Sequence, residues 1–295
     1  MPRRFPLGLA LTLLAYPALA VEPTLKPFVL ASRGAGDHAA AVAEVRAKLG
    51  AGGFQVAGAY DPFPGATVLA VTSDALKAAA AAAPGASYAV AQRVTVTTVG
   101  AESQVAFTNP VYMQHAYRMR TDLSGVGRAL AAALGELEAY GSKDGQSKSG
   151  LLGYRYMIGM PYFDEPVKIA TLADHDQAVA AVVAGLAAGR GGARQVYRID
   201  VPGTQDSVFG LALTEGCGGD AHVMQEIDHK PLRSTGHLPY ELLVSGGRVT
   251  ILHAKFRIAV NFPDLSMMGS HSFMNIRCAP DSIEEAARKL VGPVP

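Results

Sequence analysis

The stretch "GDHAAAVAEVRAKL" (Gly36–Leu49) returns, without a gap, as "ADHDQAVAAVVAGL" (Ala173–Leu186). Asp37 and His38 fall on Asp174 and His175, Val42 on Val179, Val45 on Val182, and Leu49 on Leu186. The spacing of the valines and the leucine predicts an amphipathic helix in each copy. Asp37 and Asp174 stand where a helix N-cap is wanted, which explains the Asp-His pairs without any acid/base chemistry.

Around these helices the parallel continues. "FVLAS" from Phe28 and "VKIAT" from Val167 precede them and read as strands. "QVAGAYDP" from Gln55 and "QVYRIDVP" from Gln195 follow, then "VLAVTSD" from Val68 and "FGLALTEG" from Phe209. Each half next predicts a hairpin: "RVTVTTVGAESQVAFTNP", and "YELLVSGGRVTILHAKFRIAVNFP" turning at Ser245-Gly246-Gly247. Terminal helices are expected in "GVGRALAAALGELEAY" and "DSIEEAARKLVG", the second opening on a capping-box-like Ser282 to Glu285. The Ala-rich "ALKAAAAAAPGA" reads as a short helix. The fold class expected is α+β, in two duplicated modules at 27–140 and 166–292, each a mainly antiparallel sheet with helices on one face. Residues 141–165 are read as a Gly/Ser/Lys-rich linker followed by a buried intermodule strand, or a lid over the modules.

The elements "GGFQVAGAYDP", "VLAVTSDALKAAA" and "SQVAFTNPVYM" in one half, and "QVYRIDVP", "FGLALTEGCGG" and "HLPYELLVSGGRVTI" in the other, carry a family likeness. In this order the chain resembles two tandem copies, over 27–292, of the bacterial family known as domain of unknown function 302. The resemblance implies an α+β sandwich and no settled activity. "RVTILHAKFRIAVNFPDL" departs from the short hairpin of that family.

Residues 1–20, "MPRRFPLGLALTLLAYPALA", join a basic start at Arg3 and Arg4, an apolar run from Leu7 to Ala15 and the small-residue signal Ala18-Leu19-Ala20. This is a secretory pattern cleaved after Ala20, and it places the mature protein in the periplasm or outside. The run is too short for a membrane span. Without Arg3 and Arg4, 24 basic residues face 25 acidic ones, a balance with no electrostatic footprint for nucleic acid or anionic membrane. In an oxidising compartment Cys217 and Cys278, an even pair, are most simply a disulfide; free thiols and a metal-ligand role are the alternatives.

The remaining chemistry gathers around two histidines. "YMQHAYRM" sets Met113 and Met119 about His115, and "MMGSHSFMNIRC" sets Met267, Met268 and Met274 about His271. Alignment of the "NP" and "FP" elements, with a three-residue insertion in the second, makes His115 and His271 equivalent, followed by Tyr117 and Phe273. Thioether and imidazole together suit Cu(I), or a non-covalent haem, since no C-x-x-C-H occurs. The alternative is that the methionines fill gaps against aromatics. Candidate ligand-binding residues are His115, Tyr117, His271, Phe273, Tyr154 and Tyr156; candidate metal ligands are Met113, His115, Met119, Met268, His271 and Met274. Asp228-His229, in the polar "EIDHKPLRSTGH", reads as a surface loop. No hydrolase, nucleotide-binding or zinc-protease motif is present, and no catalytic residue is assigned. The expectation is an exported, non-catalytic binding protein. The competing readings are an enzyme using His115 or His271 as acid/base, and a structural or interaction module.

Overall fold

The computed structural model describes residues 22–292; the leader read over 1–20 lies outside the described residues. The first half runs β1 (Phe28–Ala35), α1 (His38–Ala51), β2 (Gln55–Phe63), β3 (Ala66–Thr72), α2 (Asp74–Ala81), β4 (Gln92–Val99), β5 (Glu102–Thr108), α3 (Pro110–Ala116), α4 (Ser124–Leu134) and β6 (Glu138–Tyr140). After a short helix α5 (Lys148–Leu152), the second half runs β7 (Val167–Thr171), α6 (His175–Ala187), β8 (Ala193–Val201), β9 (Asp206–Leu213), α7 (Asp220–Ile227), β10 (Tyr240–Ser245), β11 (Arg248–Ile251), α8 (Ala254–Asn261) and α9 (Ala279–Val291).

Two antiparallel sheets result, ordered β2-β3-β4-β5-β1-β6 and β8-β9-β10-β11-β7. Apart from the added edge strand β6, the order is the same. The expected α+β architecture is therefore observed, and the repeated helix occupies the same place in both halves. Asp37 caps α1 by accepting from Ala40 N at 2.8 Å, and Asp174 caps α6 by accepting from Gln177 N at 2.8 Å. Val45 and Leu49 enter the first core; Val179, Val182 and Leu186 enter the second. Each following histidine ties its helix to the next hairpin. His38 Nε2 meets Thr67 Oγ1 at 2.9 Å, and Thr67 donates to Asp61. His175 Nε2 meets Ser207 Oγ at 3.0 Å, and Ser207 donates to Asp200.

Side chains alternate across a strand, so each sheet has a helix face and a second face. On the second faces the halves meet. Register makes Arg93, opposite Ala70, the counterpart of Glu241, opposite Gly210. These two side chains form an ion pair with almost no exposure. Arg257 of α8 adds Nη2 to the Glu241 carboxylate at 3.2 Å and Nη1 to the Tyr117 hydroxyl at 3.0 Å. Close approach of β2 and β8 needs Gly58, where any Cβ would collide with the Val196 carbonyl. Each connector also crosses over. Tyr88, after α2, meets Thr250 of the second sheet at 2.7 Å, and Thr235, after α7, meets Thr97 of the first at 2.9 Å.

Four local expectations change. The second hairpin is short: β11 ends at Ile251 and "AKFRIAVN" is helix α8, because its buried residues serve both cores instead of alternating. Residues 153–166 contain no strand; the segment turns over α8, held by the Tyr154 hydroxyl donating to Ala259 O and the Tyr156 hydroxyl to Leu265 O. Helix α4 stops at Leu134, and 138–140 joins the first sheet as β6. Helix α9 starts at Ala279, so Ser282 lies inside it and accepts from Gly218 N rather than capping. That contact adjoins the Cys217–Cys278 disulfide, whose Cα atoms are 6.0 Å apart.

Candidate intermodule cleft at His229 and His271

Helix α7 ends at Ile227, and the chain then runs as a polar connector to β10. Asp228 is buried beneath this connector, and both its carboxylate oxygens accept from Ser234 N at 3.0 Å. The Arg233 guanidinium donates to the Asp228 carbonyl. Burial raises the Asp228 carboxyl to about 7; the Ser234 amide and the nearby Arg233 and Lys230 charges oppose the shift without cancelling it.

On either side of Asp228 and His229 lies a hollow. One, of about 280 Å³, is lined by His271, Lys230, Asp264 and Phe262. The other, of about 390 Å³, is lined by Phe63, Thr97, Met224 and Arg233, and so takes residues from both halves. These volumes sit at the lower end for small-molecule sites. Between them the His229 and His271 rings stack, with centroids 3.4 Å apart and planes 30° apart. His271 Nδ1 lies 3.1 Å from Glu226 O, and His229 Nε2 lies 2.5 Å from Gln225 O. A carbonyl only accepts, so these nitrogens carry the protons. In a neutral ring, the remaining nitrogens, His271 Nε2 and His229 Nδ1, are the acceptors. His271 also has φ 55°, in the left-handed region, uncommon away from glycine and frequent at functional sites.

The His/Met candidates divide. His271, exposed, lines the cleft. His115, half-buried, is on α3, and its pKa is lowered first by burial and then by the Lys148 charge. Their proposed equivalence does not hold. Helix α8 follows the second hairpin as α3 follows the first, so His253, the N-cap of α8, answers to Asn109. His271 stands in the later excursion 262–278, which the first half lacks. The methionines separate likewise: Met113 and Met119 are buried in the first core, while Met268 and Met274 are 77% and 42% exposed. Tyr117 is buried against Phe163, with ring centroids 5.2 Å apart, beneath Arg257. Tyr154 is buried too, whereas Tyr156 and Phe273 share an apolar recess with Met160 and Met267. At about 20 Å³ it has room for roughly one water. Among the described residues, no group of three or more His, Cys, Asp or Glu could hold a metal ion.

The loop read at Asp228-His229 is a loop with His229 exposed; the hollows on its two sides and the burial of Asp228 were not read from the sequence. The available signal was the charge density of "EIDHKPLRSTGH". Among the described residues no helix is long and apolar enough to cross a membrane. No family model, curated protein or solved structure matches the chain.

Proposed function

We propose that the chain is an exported binding protein whose small ligand occupies the cleft around His229 and His271. The observation that carries this reading is that His229, His271 and the buried Asp228 together line one hollow beside the connector, with a second hollow, shared by both halves, on the other side. Phe63, Met224 and Phe262 supply apolar wall, while Lys230 and Arg233 supply positive charge. A ligand with an apolar body and an acidic or hydroxylated head matches that lining. The hollows favour a compact molecule over a haem. The apolar leader over 1–20 and the disulfide support export. The repeated strand order supports the likeness to tandem copies of domain of unknown function 302.

The test is thermal unfolding with a panel of small aliphatic and aromatic carboxylates, beside assays of the purified protein for copper and haem. A stabilising carboxylate whose effect disappears in His229→Ala and His271→Ala supports the cleft. Stoichiometric copper or haem, or a carboxylate effect untouched by both substitutions, overturns it. A second reading, acid/base catalysis, is favoured by one observation: the Asp228 carboxyl, raised to about 7 by burial, adjoins His229. Turnover of a bound carboxylate, lost in Asp228→Asn, would select that reading.

A further inference from the structure

The reduced sulfur of the chain is unevenly placed. Both cysteines are joined in the Cys217–Cys278 disulfide, which leaves the methionines. Met113, Met119 and Met224 are buried in the two cores. The other five described methionines stand on two neighbouring segments: Met157 and Met160 on 153–166, and Met267, Met268 and Met274 on 262–278. Met157, Met268 and Met274 are exposed, at 44%, 77% and 42%. Met160 and Met267 are half-buried and line the apolar recess over α8 with Tyr156, Phe262, Leu265 and Phe273. The two segments join there, where the Tyr156 hydroxyl donates to Leu265 O at 2.7 Å. Met160 N donates to Met157 O at 3.0 Å and Met274 N to Met267 O at 3.2 Å, so each half-buried methionine has an exposed one beside it.

A thioether needs no catalytic group to react with a peroxide. Its sulfur lone pair attacks one peroxide oxygen, and the O–O bond breaks. The attacked oxygen passes its proton to the departing hydroxide and stays on sulfur as a sulfoxide, while water leaves. Sulfur is oxidised by two electrons and the peroxide reduced by two. Access sets the order, so the three exposed methionines react before the recess pair, and the three core methionines last. The structural consequence lies with the recess pair. A sulfoxide sets a strong dipole where Met160 and Met267 had packed on apolar groups, and separating the segments returns that dipole to water. Residues 153–166 form no strand or helix that would resist separation; side-chain bonds at Tyr154, Tyr156 and Asp164 hold them down. We propose that the five methionines form an oxidation site for hydrogen peroxide, and that sulfoxides at Met160 and Met267 release 153–166 from the 262–278 excursion. This inference does not rest on the ligand given to the His229–His271 cleft.

The test is a time course of the purified protein in hydrogen peroxide, read by peptide mass mapping and by trypsin. Met157, Met268 and Met274 should gain oxygen first and Met160 and Met267 next. Met113, Met119 and Met224 should stay unmodified while the circular dichroism remains native. Cleavage of the peptide bond after Arg155 should quicken about tenfold once Met160 and Met267 are oxidised, since proteolysis follows the population of the opened segment. The paired substitution Met160→Leu and Met267→Leu conserves volume and removes both recess sulfurs. It should abolish the quickening while Met268 and Met274 still oxidise. Replacing Met157, Met268 and Met274 by leucine should leave the quickening intact. Core methionines oxidising as fast as Met268, an unchanged cleavage rate in the oxidised wild type, or equal quickening in the Met160→Leu, Met267→Leu protein would each overturn the proposal. The wild-type time course decides the matter even where the paired variant does not fold.

Discussion

One strand position, read in the two halves, carries Arg93 in the first and Glu241 in the second. The two copies meet there on their helix-free faces, and the same residue in both would set like charges against each other without water. Opposite residues make the contact possible, so divergence between the copies sits at the contact itself. Elsewhere the copies agree: His38 with Thr67 and Asp61 repeats as His175 with Ser207 and Asp200. They differ again after the second hairpin. The first half passes from α3 to α4 through 117–123; the second takes the longer path 262–278 from α8 to α9, bringing Asp264 and His271 onto the connector that carries Asp228 and His229. The shared frame carries stability, and His271 lies on the segment where the second copy departs from the first.

The largest effect is expected where the two copies meet. Glu241→Gln strands the Arg93 and Arg257 guanidiniums in the interior, and the expected loss is about 4 kcal/mol, measured by urea unfolding. A loss under about 1 kcal/mol would mean that the arginines find other partners. Next is the bond present only in the second half. Replacing Cys217 and Cys278 by serine should cost about 3 kcal/mol, and dithiothreitol should lower the wild type's unfolding midpoint towards that of the variant.

Asp228, buried beneath the connector, sharpens the comparison through pH. Its carboxyl titrates at about 7 in the folded chain and near 4 when unfolded. Between those values the folded state keeps a proton that the unfolded state has lost. Its contribution to stability therefore declines as pH rises from about 4 to 7, and the loss is complete above 7. Asp228→Asn should flatten that slope and raise stability at pH 8 by about 2 kcal/mol. An unchanged slope between pH 4 and 8 would refute the assignment. The smallest effects are expected at the repeated clamps. His38→Ala and His175→Ala should each cost about 1 kcal/mol. A severalfold difference between them would show that the two clamps are not equivalent in energy.

The legibility of the chain follows the range of the forces involved. Asp37 and Asp174 as caps, the valines behind them, and the strands before and after are set by neighbours a few residues away, so they can be read in order along the sequence. The duplication is visible for the same reason, and the disulfide because a chain with two cysteines offers one pairing within itself. Helix α8 resisted such reading because Phe256, Ala259 and Val260 pack into the first core while Ala254 and Ile258 pack into the second. A segment buried on both sides has no alternation to betray its period. The Met/His pattern suggested one shared site, yet folding sent Met113 and Met119 inward and left His271 on the surface, where its partner is His229. Asp220 and Asp228 are acids in polar stretches by sequence alone. Contact with Tyr60 of the other copy at Asp220, and the folded connector over Asp228, bury them, and that burial, a tertiary property, raises both carboxyls.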